Sequence, residues 1–73
     1  MKSNVLIGST TCAPCKAVKL FLDNRGITYD YLDIDTEEGL AKAQEWEIRN
    51  IPAMNIFGNV VVGERNIKGA FDE

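Results

Sequence analysis

The chain has 73 residues, with 8 Lys and Arg against 11 Asp and Glu, no His, and a formal net charge of −3. That length fits one domain, and the acidic balance speaks against nucleic acid or an anionic membrane as a partner. The apolar run near Met1 is too short for a signal-peptide core, and no stretch is long enough to span a bilayer, so a cytoplasmic protein is expected.

Asn4 to Ile7 reads as the first strand: Val5, Leu6 and Ile7 are adjacent, the pattern of a strand covered on both faces. Gly8 to Thr11 is a small, hydroxylated loop in which Thr10 or Thr11 is the expected helix cap. Pro14 falls in the first turn of the helix that follows, where its missing N–H is no loss. Cys15, Val18 and Leu22 share one side of that helix, and Asn24-Arg25-Gly26 stops it, with Gly26 placed as the terminating glycine. Thr28 to Asp33 is the second strand. Asp35 or Thr36 caps a second helix, with Glu37 and Glu38 in its favourable first turn and Leu40, Ala43 and Trp46 at helical spacing. Gly39 weakens this helix slightly, and it frays near Ile48. After the break at Asn50-Ile51-Pro52 come Ala53 to Phe57 and Val60 to Val62, two strands joined by an expected Gly58-Asn59 turn. Glu64 to Glu73 is polar except for Ile67, Ala70 and Phe71.

The order strand–helix–strand–helix–strand–strand makes the first two strands parallel, with a right-handed crossover, and the last two an antiparallel hairpin. The expected architecture is α/β, a four-stranded mixed sheet with helices on its faces.

The only two cysteines, Cys12 and Cys15, stand C-x-x-C where the first strand hands over to the first helix. A helix amino terminus offers free N–H groups and partial positive charge. A thiolate is favoured there, and the thiolate is the form that attacks disulfides. A bond between cysteines so close closes too short a loop to be a strong staple. The pair therefore points to redox chemistry in a reducing compartment. Lys16 is placed to assist the thiolate. With no His in the chain, a Cys–His pair is excluded. A metal or iron–sulfur cluster, which wants four ligands, would need the thiolates of two chains. That leaves a non-catalytic binding module as the alternative reading.

Three segments resemble the thioredoxin-fold superfamily, and within it the glutaredoxins: Thr11-Cys12-Ala13-Pro14-Cys15-Lys16 after the first strand, Asn50-Ile51-Pro52 before the third, and Gly69-Ala70-Phe71-Asp72-Glu73 after the hairpin. The resemblance implies a thioredoxin fold, minimal here, without the helix that family members carry at the carboxyl end. It implies a thiol–disulfide oxidoreductase, an electron carrier serving cell redox homeostasis. Cys12 would be the exposed nucleophile and Cys15 the resolving thiol, the two forming the redox disulfide. Pro52 would be cis, and Ile51 would offer its backbone to an extended substrate. Thr11, Lys16, Gly69 and Asp72 complete the expected substrate contacts. Between the cysteines Pro stands second, as in thioredoxins, and Ser9 stands where glutaredoxins usually carry a Lys for a glutathione carboxylate. The style is that of glutaredoxin-like hydrogen donors reduced by thioredoxin reductase. The expected partners are a disulfide-bearing protein such as ribonucleotide reductase, with thioredoxin reductase or glutathione as reductant. No cofactor is expected beyond glutathione as a co-substrate, and the chain is expected to be a monomer.

Overall fold

The computed structural model describes residues 4–71. The elements run β1 (Asn4–Gly8), α1 (Ala13–Asn24), β2 (Asp30–Asp33), α2 (Glu37–Glu45), β3 (Ala53–Ile56), β4 (Asn59–Val62) and α3 (Glu64–Phe71). The strands form one mixed sheet in the order β2-β1-β3-β4, with β1 parallel to β2 and both β1–β3 and β3–β4 antiparallel.

Pleating sends alternate side chains to opposite faces. The register lines up Tyr31, Leu6, Met54 and Val61 across the four strands. On that face Leu6 and Met54 meet Val18 and Leu22 of α1 and Ile67 of α3, all five without exposed surface. Phe21, Ile27, Tyr29 and Phe71 pack around them. The other face receives α2, which packs on β2. There Gly39 sits so close to β2 that a Cβ would run into the backbone carbonyl of Asp33. The glycine that weakens α2 by propensity is what lets the helix lie against the strand.

Thr36, one of the two expected caps, starts α2. Its hydroxyl accepts from Gly39 N–H at 3.1 Å and donates to the Asp33 carbonyl at 2.6 Å. The helix ends at Trp46, and Glu47 turns out of it at φ 57°. At the end of α1, Gly26 takes the expected left-handed conformation, φ 69°.

Three expectations are corrected. The polar segment after β4 is not a tail: it is α3, so the fold has its carboxyl-terminal helix. An isolated helix of eight residues is unstable in water. This one is held by Ile67, whose full burial is worth about 1.5–3 kcal/mol, and by Arg25, whose Nη1 donates to the Phe71 carbonyl at 3.2 Å. A Lys68–Glu64 pair at 2.8 Å adds a half-exposed link of small value. The hairpin turn is Phe57-Gly58, one residue earlier than expected, with φ 52° and 94°. Two positive φ values are what a two-residue turn of matching twist demands. The Asn55 side chain secures it by accepting from Gly58 N–H at 2.8 Å. Finally, β2 begins at Asp30, not Thr28.

Tyr29, just before β2, donates to Asp23 Oδ1 at 3.0 Å. Burial, then this hydrogen bond and the Asp23 charge, push its phenol up from 10.0 to about 12. The neutral form is thus favoured by folding. Its contribution is complete below the unfolded value and disappears as pH rises from about 10 to about 12. A stability profile taken through this range should fall more steeply for the native chain than for Tyr29→Phe.

Candidate active site

The loop from β1 into α1 puts both sulfurs at the helix amino terminus. Cys12 itself is the N-cap, at φ −96° and ψ 113°. Neither Thr10 nor Thr11 fills that position, a correction with a clear cause. Thr11 is drawn to Ser9, with Thr11 N–H donating to Ser9 Oγ at 3.3 Å and the two hydroxyls 3.1 Å apart. Cys12 N–H donates to the Ser9 carbonyl at 3.2 Å, which turns the chain into the helix. Cys12 Sγ then accepts from Cys15 N–H at 3.2 Å, and Lys16 N–H donates to the Cys12 carbonyl. The sulfur takes the place that a Ser or Asp oxygen holds in an ordinary cap. Negative charge arriving on it meets an aligned donor and the positive end of α1.

Cys12 and Cys15 are joined as a disulfide, their Cα atoms 5.2 Å apart. Cys12 is half-buried and Cys15 has no exposed surface. Burial of Cys15 depends on Gly8, since a Cβ there would lie 2.9 Å from Cys15 Sγ. Two sulfurs with unequal access suit sequential attack, the outer first and the inner second.

Continuing the β1–β3 register past Ile7–Ala53 sets Pro52 across from Gly8, at the dithiol end of the sheet. The Ile51–Pro52 bond is cis and Pro52 is buried. Ile51 precedes it, half-buried at the same end. Thr11 and Lys16 are exposed beside the sulfurs. Gly69 is not in this group. It lies within α3, two residues before the Phe71 carbonyl that Arg25 holds near the far end of α1. The glycine at the dithiol end after the last strand is Gly63, at φ 99°, with its N–H donating to the Pro52 carbonyl at 2.8 Å. Its place directly after Val60-Val61-Val62 was the available signal. Asp72 lies outside the described residues.

Ser9 is buried and donates to Asp35 Oδ2 at 3.4 Å. A carboxylate therefore stands behind the loop where a Lys is usual in glutaredoxins. Tyr31 rests on the α1 face with Lys19 Nζ 4.3 Å from its ring centre. Burial first, then Asp33 and Asp35, raise its phenol above the ordinary value. A separate cleft, lined by Val5, Asp30, Leu32, Glu38, Lys42 and Trp46, opens on the α2 face, away from the sulfurs. No described helix is long and apolar enough to cross a membrane.

Residues 4–62 match the Glutaredoxin family, four-fifths of the chain and all of the dithiol and cis-proline region. The chain belongs to the glutaredoxin family. Its family fold is shared with glutaredoxin-1 of Archaeoglobus fulgidus, at a TM-score of 0.79 and 22% identity over 100% of this chain and 89% of that one. The NrdH-redoxin of Escherichia coli, described as glutaredoxin-like with a thioredoxin-like activity profile, aligns at 0.76 and 19% over 96% and 95%. A buckwheat glutaredoxin solved with glutathione aligns at 0.73 and 26% over 89% of this chain and 64% of its own length, so this chain spans under two thirds of it. No curated protein matches the chain in sequence. Membership of the glutaredoxin family, with its disulfide-forming C-x-x-C, assigns thiol–disulfide redox function in general terms.

Proposed function

We propose that this glutaredoxin-family chain is an electron carrier that reduces protein disulfides through Cys12 and Cys15, taking its electrons from thioredoxin reductase in the cytoplasm. The observation that carries the reading is the N-cap sulfur, half-exposed and hydrogen-bonded by Cys15 N–H, with the second sulfur buried behind it. In the reduced chain Cys12 thiolate attacks one sulfur of the substrate. The substrate S–S bond breaks, and its other sulfur leaves with the electron pair and takes a proton. Cys15, losing its proton, then attacks Cys12 Sγ. The mixed bond breaks, the intramolecular disulfide forms, and the substrate departs reduced by two electrons. Ile51 lies beside this centre to pair its backbone with an extended substrate segment, and Thr11, Lys16 and Gly63 border the approach.

The choice of reductant follows from charge. Asp35 behind Ser9 opposes the carboxylates of glutathione where a Lys would attract them. The thioredoxin-like activity profile of the similar NrdH-redoxin supports the same choice. A dithiol enzyme such as ribonucleotide reductase is the natural consumer of these electrons. The test is insulin reduction by the purified chain, coupled once to NADPH and thioredoxin reductase and once to NADPH, glutathione and glutathione reductase. Turnover in the first system well above the second is expected. The reverse order overturns the choice of reductant, and no turnover in either overturns the oxidoreductase reading.

A further inference from the structure

Cys15 poses a problem for the exchange just described. Its sulfur is fully buried, and burial in apolar surroundings makes a thiolate costly. Yet it must lose its proton to attack Cys12. The helix amino terminus serves Cys12, whose sulfur already occupies the cap and its aligned N–H. Something else must stabilise charge on the inner sulfur.

The neighbourhood of Gly8 supplies it. A Cβ placed on Gly8 would lie 2.9 Å from Cys15 Sγ and 3.3 Å from Tyr31 Oη. The sulfur and the phenol oxygen thus both close on Gly8 at the end of β1, leaving no room for a methyl between them and the backbone. Tyr31 reaches it because Leu6 pairs with Tyr31, which puts the ring on the α1 face, two residues short of Gly8. The Lys19 ammonium over the ring and the packing against the core hold the ring there.

We infer that the Tyr31 hydroxyl donates a hydrogen bond to the Cys15 thiolate as it forms, and so sets the rate at which substrate is released. This rests on the exchange reading of the dithiol. The chemistry balances: Cys15 gives up its proton, the phenol keeps its own, the electron pair of Cys15 Sγ forms the new bond with Cys12, and the Cys12–substrate bond breaks with its pair leaving on the substrate sulfur, which takes up a proton. Tyr31 suits a donor that must not ionise. Burial and the charges of Asp33 and Asp35 keep the phenol protonated. The charged groups facing it are Lys19 from α1 and these two aspartates from β2 and the loop after it; β1 has no titratable side chain. Loss of a hydrogen bond to a charged group corresponds to about tenfold in the ionisation equilibrium, and to less in the exchange rate, since a thiolate of higher pKa is the better nucleophile.

Two measurements test this. In Cys12→Ser, Cys15 is the only thiol, and its thiolate absorbance can be followed against pH with and without Tyr31→Phe. Removing the hydroxyl should move the midpoint up by about one pH unit. In the chain with both cysteines, release of a peptide thiol from a mixed disulfide on Cys12 should be about three- to fourfold slower in Tyr31→Phe at neutral pH, the loss of thiolate being partly offset by its greater nucleophilicity. Its pH profile should be displaced in the same direction, with the thermal midpoint of the fold little changed. Superimposable titrations and release profiles overturn the role of Tyr31 while leaving the exchange reading intact. Failure of the native chain to release the peptide at all overturns both.

Discussion

Cys12→Ser is expected to reduce insulin turnover to the uncatalysed background, whereas Cys15→Ser keeps the first half of the reaction. The difference comes from access and activation. Cys12 Sγ is half-exposed and capped by a backbone donor; Cys15 Sγ is out of reach of any disulfide except one already on Cys12. A serine hydroxyl at position 12 would cap α1 at least as well as sulfur, so the fold should survive while the nucleophile is lost. Cys15→Ser should form a mixed disulfide with substrate or with a small thiol and then stall, visible as a mass increase of one adduct. Turnover surviving in Cys12→Ser, or an adduct accumulating on Cys15 instead, would contradict the assignment of roles.

The second large effect is on the fold. Gly39→Ala is expected to destabilise the chain by roughly 2–3 kcal/mol, the upper part of the range for forcing extra volume into a packed contact. In a chain this small that lowers the thermal midpoint by on the order of 10–20 °C. The new methyl would collide with the Asp33 carbonyl, a backbone atom that cannot rotate away. Asp33 also accepts from the Thr36 hydroxyl and N–H, and pairs with Gly8 across the parallel ladder. Pushing α2 outward would therefore strain the cap of α2 and the strand end that seats Cys15. Gly69→Ala is the matched comparison. A Cβ there meets nothing within 4 Å, so the change should stabilise α3 by about 0.5–1 kcal/mol. Equal thermal midpoints for the two variants would contradict this account.

Much of this molecule was legible in the chain itself. The apolar run of β1, the proline in the first turn of α1 and the stop at Gly26 are local signals, and local physics decided them. The same holds for Thr36 as a cap. Ile51-Pro52 was legible only through family resemblance, since nothing in the dipeptide itself specifies its place opposite the sulfurs. Other features were set by tertiary contacts. Phe57 in the left-handed region runs against the preference of bulky residues, and the twist of the hairpin overrides it. The α3 helix showed Ile67, Ala70 and Phe71 at helical spacing, but its polar length concealed that one buried isoleucine and the Arg25 contact suffice to hold it. Cys12 as its own cap was obscured by two threonines that any capping rule ranks higher. The link from Gly8 to Tyr31 exists only across the sheet, between residues 23 positions apart. No linear pattern could show it.

The hold that Arg25 keeps on the Phe71 carbonyl has a practical corollary. It fixes Phe71 beside the end of α1, with the reactive sulfur at the other end of that twelve-residue rod, about 18 Å away. A reporter attached near residue 71 would therefore sit at the end of α1 remote from the chemistry. Such a probe would report on the fold without standing in the way of an approaching disulfide.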